Sequence, residues 1–308
     1  MRLFSHANFA KLLGVVVLMS VLTMAGCGGG GSGTGKPGSG VSVTVGSKKD
    51  ADGQLLGEMY AQLLENAGYT VNRKLGAGDT PFLDSAIKSG AVDIYPEFTG
   101  TASSTYKLNV SQDPKAAYNT VADYYSKNLK LTWLDAAYNL NDSYAICTSQ
   151  ENATNFNLHS NADLAAQNGN LKIASQDDGV QAAVDPVKQG YNVTFKEVVS
   201  LAEQLSFAAV KNGDVDLMVC YTTDPGIVTN NFVVLTDPKG VFPNYNPAPV
   251  VRNDLLSKSP AVKDTLNPLA SKLTTADQVA LIKQVSLDKK TVHEVAKAYL
   301  QQKGLLPS

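Results

Sequence analysis

The sequence contains few of the residues that form metal centres. Its 308 residues include three histidines and three cysteines. His6, His159 and His293 are far apart in the chain, and no Cys/His spacing of the zinc type occurs. A serine nucleophile elbow and a phosphate-binding P-loop are also missing. We therefore predict no metal and no other cofactor, and we exclude the enzyme classes that depend on these motifs.

An excess of basic residues is missing as well. The chain has 26 Lys+Arg against 28 Asp+Glu, a formal net charge of −2 and a pI near 5.9. No basic run and no alternation of basic and aromatic residues occurs, which excludes nucleic acid as a partner. Glu97 follows Pro96 without a second, matched carboxylate, which argues against acid–base catalysis. We expect a protein that is not an enzyme.

The start of the chain differs from the rest. Residues 1–27 have a basic beginning, an apolar stretch from Leu12 to Leu22 and small residues before Cys27. This is typical of a secretory signal peptide and is too short for an ordinary transmembrane helix. Cys27 directly after Ala-Gly resembles the lipobox of bacterial lipoproteins, whose cysteine receives the lipid. We predict an extracytoplasmic protein anchored to a membrane through Cys27; a plain signal peptide is the alternative. GGGGSGTGKPGSG (28–40) then predicts a flexible tether.

Strand and helix patterns alternate in the body of the chain. They begin with VSVTVGS (41–47), a helix over 53–68, YTVNRKL (69–75), a helix over 81–90 and the strand VDIYP (92–96). The alternation starts again with SYAICTS (143–149) and LKIAS (171–175), and the segment after Asn253 is helical in pattern. Short links between strands and helices indicate an α/β protein with parallel strands.

One helix–glycine–strand pattern occurs twice. AIKSGAVDIYPEFT (86–99) aligns without a gap on AVKNGDVDLMVCYT (209–222), and six of the fourteen positions are identical. Two α/β lobes of similar construction explain this repeat. Phe98 and Tyr221 then occupy equivalent strand ends, at the edge where open α/β sheets bind ligands.

Cys147 and Cys220 each end a short apolar run. Outside the cytoplasm such a pair can persist as a disulfide. Two buried free thiols, which behave as small apolar groups, are the alternative. The sequence leaves both readings open.

Six stretches in a specific order resemble a known family. They are VGSK (45–48), LLGEMYAQLLENAGY (55–69), GDTPFLDSAIKSGAVDIYPEFTGT (78–101), LTWLDAAYNLNDSYAI (131–146), GDVDLMVCYTTDPGI (213–227) and VFPNYNPAPVVR (241–252). Together they are similar to the substrate-binding proteins of osmoprotectant ABC importers, which capture glycine betaine, choline, carnitine and related amines. The resemblance implies a two-lobe, type II-like periplasmic-binding-protein clamshell with a ligand cleft between the lobes. We expect residues 41–141 and 244–308 in lobe 1, and residues 142–243 in lobe 2.

The resemblance also implies a binding site. In that family, aromatic side chains from both lobes enclose the ligand's trimethylammonium group, which has no N–H to donate and is attracted by aromatic faces. The corresponding positions are, for the aromatic cage, Phe98, Tyr144, Tyr221 and Tyr245 and, for the ligand's polar end, Lys48, Thr80 and Thr101.

The chain departs from the family pattern at two positions. Phe98 stands where tyrosine is usual, and it keeps the aromatic face without the hydroxyl. Gln176 stands where the family often has a basic residue that pairs with the carboxylate of betaine. A neutral amide holds a carboxylate less firmly, which favours choline. Asp79, Asp50 and Asp52 could add negative field for a cation, and solvated loop or cap positions are their alternative reading.

The sequence thus predicts a monomeric, lipid-anchored solute-binding protein. It closes over a quaternary amine, with choline favoured and glycine betaine second, and delivers it to an ABC permease. The first alternative is the same clamshell with an amino acid, polyol or sugar as ligand. The second is an extracytoplasmic hydrolase, which requires paired carboxylates in the cleft.

Overall fold

The computed structural model describes residues 35–308, so the predicted signal peptide and the lipidation site at Cys27 lie outside the described residues. The strands are β1 (Ser42–Lys48), β2 (Thr70–Gly78), β3 (Ile94–Phe98), β4 (Leu131–Trp133), β5 (Tyr144–Ser149), β6 (Lys172–Ser175), β7 (Glu197–Ser200), β8 (Leu217–Tyr221), β9 (Phe232–Val234) and β10 (Pro247–Arg252). The helices are α1 (Ala51–Asn66), α2 (Thr80–Ser89), α3 (Thr99–Thr105), α4 (Pro114–Leu129), α5 (Gln150–Asn155), α6 (Asp177–Gly179), α7 (Asp185–Tyr191), α8 (Glu203–Asn212), α9 (Pro225–Thr229), α10 (Asn253–Lys258), α11 (Ala261–Ala270), α12 (Thr275–Ser286) and α13 (Val292–Gln302). None of these helices is long and apolar enough to cross a bilayer.

The strands form two five-stranded sheets of the same design. The first sheet has the order β2-β1-β3-β10-β4, and the second has the order β7-β6-β8-β5-β9. Two clusters of buried apolar side chains belong to each sheet and its helices, so both faces of each sheet are covered. We call the first sheet with its helices the first lobe, and the second sheet with its helices the second lobe. The predicted α/β class with two lobes is confirmed.

The sheets are mixed, whereas the sequence predicted parallel strands. β10 pairs antiparallel with β3 and β4, and β5 pairs antiparallel with β8 and β9. The other pairs are parallel. The chain crosses between the lobes twice, over residues 134–143 and over residues 235–246, which we call the first and second crossing segments. β5 and β10 start directly after these segments, at the edge where the parallel strands end, so they run in the opposite direction.

The repeat seen in the sequence occupies the same place in both sheets. The glycine of each copy ends its helix in the left-handed backbone region, with φ of 81° in the first lobe and 78° in the second. Asp93 Oδ2 accepts a hydrogen bond from the backbone N–H of Thr44 at 2.9 Å. Asp216 Oδ2 accepts the equivalent bond from Lys172 at 2.7 Å. The repeated Val-Asp therefore ties β3 to β1 in the first sheet and β8 to β6 in the second.

The threonine that ends each copy of the repeat holds a crossing segment. Thr99 Oγ1 donates to the carbonyl of Asn244 at 2.8 Å and accepts a bond at 3.1 Å from the backbone N–H two residues later. Thr222 Oγ1 donates to the carbonyl of Asn141 at 2.7 Å and accepts a bond at 3.0 Å from the N–H two residues later. The two threonines thus make the same pair of bonds. Thr99 bonds to the second crossing segment just before β10, and Thr222 bonds to the first crossing segment just before β5.

A disulfide joins the two central antiparallel strands of the second lobe. Cys147 on β5 and Cys220 on β8 are bonded, with their Cα atoms 5.9 Å apart and a sequence separation of 73. Both residues are buried. The bond closes a long loop of chain, which restricts the unfolded state.

Residues 36–40, which the sequence assigned to the tether, form a turn on the first lobe. The backbone N–H of Gly38 donates to the carbonyl of Ala67 at 2.9 Å. A Cβ atom at Gly38 would lie 2.3 Å from the ring of Tyr69, so only glycine fits. Residues 36–40 therefore pack on the body of the first lobe instead of belonging to a tether.

We expect Thr99→Val and Thr222→Val each to lower the free energy of unfolding by about 1–3 kcal/mol. Valine keeps the shape of threonine but leaves a carbonyl and an N–H of the crossing segment without their partner. Urea denaturation followed by circular dichroism measures the change. Thr120→Val is the matched control, because that exposed hydroxyl bonds only within its own helix. Changes no larger than the control's would show that the threonines do not hold the crossing segments.

Candidate ligand-binding site

A cavity of about 1190 Å³ lies between the two lobes. Strand ends from both sheets form its walls, as the repeat predicted. Seven of the predicted site residues line it: Lys48, Thr80, Phe98, Thr101, Tyr144, Tyr221 and Tyr245. The volume is somewhat above the roughly 300–1,000 Å³ of ordinary ligand pockets. Movement of the lobes towards each other would therefore be needed to enclose a small solute.

Tyr144 and Tyr221 form one aromatic wall. They stand opposite each other on the antiparallel strands β5 and β8. Their ring centroids are 4.7 Å apart with planes inclined by 36°, and the Tyr221 hydroxyl lies 3.0 Å from the Tyr144 hydroxyl, to which it donates. The strand register and this hydrogen bond hold both rings in a fixed orientation in the second lobe.

Two further rings continue the wall towards the first lobe. Tyr245, in the second crossing segment, meets Tyr144 edge-on, with centroids 6.1 Å apart and planes at 84°. A Cβ atom at Gly100 would lie 2.5 Å from the Tyr245 ring, so a glycine in α3 allows this close packing. Burial raises the pKa of Tyr245 to about 12, so its hydroxyl stays neutral. Phe98 ends β3, and only 4 % of it is exposed.

A buried ion pair stands beside Phe98. Lys48, the last residue of β1, places Nζ 2.5 Å from Glu97 Oε1. The Lys48 side chain is 11 % exposed and that of Glu97 is 1 % exposed. The same Nζ lies 5.3 Å from the centroid of the Phe98 ring. Glu97 had no partner in the sequence reading, and the fold supplies one from the neighbouring strand.

Five carboxyl residues also line the cavity: Asp50, Asp52, Asp142, Glu203 and Asp224. Burial in the cavity wall, with the nearby charges of Asp142 and Asp50, raises the pKa of Asp52 well above its usual value. Burial and the charge of Asp50 raise the pKa of Asp142 to about 6, against the opposing effects of a hydrogen bond from Thr223 and the charge of Lys48. These carboxyls lie close enough to repel one another, which favours a cation between them.

The second lobe contributes a carboxyl pair of its own. Burial, together with the hydrogen bond to the neighbouring Asp224 and the charge of that residue, raises the pKa of Glu203 to about 9. Glu203 is therefore protonated at neutral pH. A cation bound nearby would favour loss of this proton, because a positive charge stabilises the ionised carboxylate.

Two predicted site residues lie away from the cavity. Asp79 precedes α2, its side chain is 75 % exposed, and it faces Lys49 at 3.6 Å. Gln176 immediately precedes α6, and it is exposed. Neither lines the cavity. Because Gln176 is exposed and outside the lining, its contact with a ligand carboxylate stays a prediction.

The sequence reading missed three acidic residues and a threonine of the wall. Asp142 lies two residues before Tyr144, and Thr223 and Asp224 lie two and three residues after Tyr221. Their position next to predicted cage residues was a usable signal. Glu203 starts α8 in a stretch without any distinguishing pattern, so only the fold brings it to the cavity. Among residues 35–308, no group of His, Cys, Asp and Glu side chains is arranged to hold a metal ion.

Comparison with known proteins identifies the family. Residues 41–302 match the family of the substrate-binding domain of the ABC-type glycine betaine transport system. The glycine betaine-binding protein YehZ of Escherichia coli is 31 % identical over 277 residues, which cover 85 % of this chain and 90 % of YehZ. The carnitine transport binding protein OpuCC of Listeria monocytogenes is 26 % identical over 96 % of both chains.

Solved structures agree with the fold. The structure of apo YehZ from Escherichia coli superposes with a TM-score of 0.73 at 30 % identity, over 86 % of this chain and 99 % of that one. A crystal structure of a glycine betaine/carnitine/choline ABC transporter gives a TM-score of 0.78 at 23 % identity, over 85 % of this chain and 99 % of that chain. With the family match over most of its length, the chain belongs to the substrate-binding domains of ABC-type glycine betaine transport systems.

Proposed function

We propose that this protein captures a quaternary amine, with choline preferred to glycine betaine, and delivers it to the permease of an ABC importer outside the cytoplasm. One observation carries the proposal: four aromatic side chains, contributed by both lobes and a crossing segment, line one cavity that is rich in carboxyl groups. They are Phe98, Tyr144, Tyr221 and Tyr245. The protein binds its ligand and does no chemistry on it.

The aromatic rings supply what a methylated ammonium needs. Such a group has no N–H, so hydrogen-bond acceptors cannot bind it directly. Aromatic faces attract it through their quadrupoles, by roughly 0.5–2 kcal/mol for each ring, with the larger values where water is excluded. Rings from both lobes make this attraction strongest when the cleft is closed, because closure brings every face against the cation.

The charge of the wall supports choline. Five carboxyl residues line the cavity, and the only lysines among the lining residues are Lys48 and Lys211. Lys48 is already paired with Glu97. A ligand with a positive head and a hydroxyl suits such a wall, whereas the carboxylate of glycine betaine would meet like charges. The names of the relatives, glycine betaine-binding and carnitine-binding, indicate ligands that share the trimethylammonium group.

Closure is the proposed mechanism. A ligand that contacts both lobes binds the closed state more tightly than the open one and shifts the population towards it. The permease would then recognise the closed pair of lobes on a monomeric protein.

We propose Cys27 as the lipidated residue that anchors the protein to the membrane. Recovery of a Cys27→Ser chain in the membrane fraction, at the level of the unmodified chain, would refute that anchor.

Calorimetric titration of the chain without its signal segment (residues 28–308) tests the proposal. We expect saturable binding of choline and weaker binding of glycine betaine. Tyr221→Ala and Tyr245→Ala should each weaken choline binding by about ten- to thirtyfold, because each removes one aromatic face. Tyr138→Ala is the matched control, since Tyr138 is exposed and does not line the cavity.

The outcomes separate the alternatives. Binding of neither amine would reject the cage and move the search to amino acids, polyols and sugars. Equal loss in the control and in the two cage variants would show that the tyrosines act on folding instead of on the ligand.

Choline affinity should rise as the pH increases from about 5 to about 7. Asp142, whose pKa is raised to about 6, loses its proton over this range, and the new negative charge attracts the cation. The charges of Asp50, Asp52 and Lys48 also interact with the Asp142 carboxyl. Variants of these three residues should therefore keep part of the rise in choline affinity. Asp142→Asn should flatten the rise, as titrations at several pH values would measure. A pH-independent affinity in the unmodified chain would contradict the assignment.

A further inference from the structure

The ion pair between Lys48 and Glu97 is the most unusual feature of the cavity wall. Lys48 lines the cavity, and Glu97 stands directly behind it at 2.5 Å, almost completely buried. Ion pairs in such places are expensive, because both charges lose their hydration, and replacing them by apolar groups often leaves stability unchanged. A buried pair at the edge of a binding site therefore calls for a role in binding.

Glu97 is held in place by more than the lysine. Its Oε1 accepts a hydrogen bond from the backbone N–H of Phe98 at 2.8 Å. Its Oε2 accepts one from the Tyr95 hydroxyl at 3.3 Å. These donors stabilise the ionised carboxylate and fix its position. The negative charge is thus built into the wall beside the Phe98 ring.

The second lobe shows what the same fold does without this pair. Ser47 and Ser175 each donate Oγ–H to the carbonyl of the following residue, at 2.9 Å and 2.8 Å, at the ends of β1 and β6. Val45 of β1 pairs with Ile94 of β3, and Ile173 of β6 pairs with Leu217 of β8. Ile94 and Leu217 are aligned in the sequence repeat, so Val45 and Ile173 are equivalent. Lys48 of the first lobe is therefore equivalent in position to Gln176 of the second.

The partner position is also neutral in the second lobe. In the sequence repeat Glu97 aligns with Cys220, which is disulfide-bonded to Cys147. The two positions held by Lys48 and Glu97 in the first sheet are held by Gln176 and Cys220 in the second sheet. The topology is therefore built equally well with uncharged residues, and the ion pair is not a requirement of the fold.

We propose that Glu97 is a specificity-determining residue: by neutralising Lys48 it prevents the wall beside Phe98 from holding a carboxylate, and so sets the preference for a cation without one. Glu97 acts through Lys48 and is a positioning residue, since it does not itself line the cavity. A free ammonium 5.3 Å from the Phe98 centroid would repel a quaternary amine and attract the carboxylate of glycine betaine. This inference rests on the proposed function.

The test compares choline and glycine betaine affinities in matched variants of residues 28–308, by calorimetric titration. Glu97→Gln keeps the shape of the side chain and one acceptor oxygen but leaves the charge of Lys48 uncompensated. We expect the affinity ratio to shift towards glycine betaine by at least about tenfold. Lys48→Met combined with Glu97→Gln restores a neutral wall, so the ratio should return to within about threefold of the unmodified protein. Lys48→Met alone should shift it towards choline.

Tyr95→Phe is the control for packing, because it removes one hydrogen bond to Glu97 without changing any charge. It should change both affinities by the same factor. The inference is overturned if Glu97→Gln weakens both ligands equally, or if the double variant shifts the ratio as far as Glu97→Gln does. If Glu97→Gln fails to fold, the opposite shift in Lys48→Met decides, and an unchanged ratio there also overturns it. An unmodified chain that binds neither amine refutes the proposed function itself.

Discussion

The attachment of the two crossing segments to the third strand of each sheet is the constraint on which the site depends. Thr99 and Thr222 make the same two hydrogen bonds, one in each lobe, to a segment that passes between the lobes. Each threonine directly follows an aromatic residue at a strand end, Phe98 or Tyr221. The bonds therefore fix the aromatic walls relative to the crossing segments, so that lobe movement carries whole walls instead of single side chains.

The cavity combines two kinds of attraction for a cation. Rings attract a methylated ammonium without hydrogen bonds, and carboxyls such as Asp142 attract any positive charge. The carboxyls would suit a primary amine equally well, because N–H groups could donate to them. In the proposed function, selection for methyl groups comes from the rings, and selection against a carboxylate comes from the charge balance around Lys48.

The sequence predicted the lobes and the four aromatic residues that line the cavity, because both leave a linear signal. The repeat shows Phe98 and Tyr221 at equivalent strand ends, and the family resemblance adds Tyr144 and Tyr245 from the crossing regions. The charged part of the site is different. Glu97 meets Lys48 only through parallel strand pairing, and Glu203 reaches the cavity only through the placement of α8. Gln176 was assigned by alignment, and the structure leaves it exposed and outside the cavity lining, so its role stays a prediction.

The central claim is that aromatic faces, and not acidic side chains, select the ligand. Comparing the dissociation constants of choline and ethanolamine by calorimetric titration of residues 28–308 tests it most directly, because the two differ only in the methyl groups on nitrogen. The account predicts that choline binds at least about tenfold more tightly, equivalent to about 1.4 kcal/mol. Ethanolamine binding as tightly as choline would contradict it, since the carboxyl residues alone would then explain the affinity.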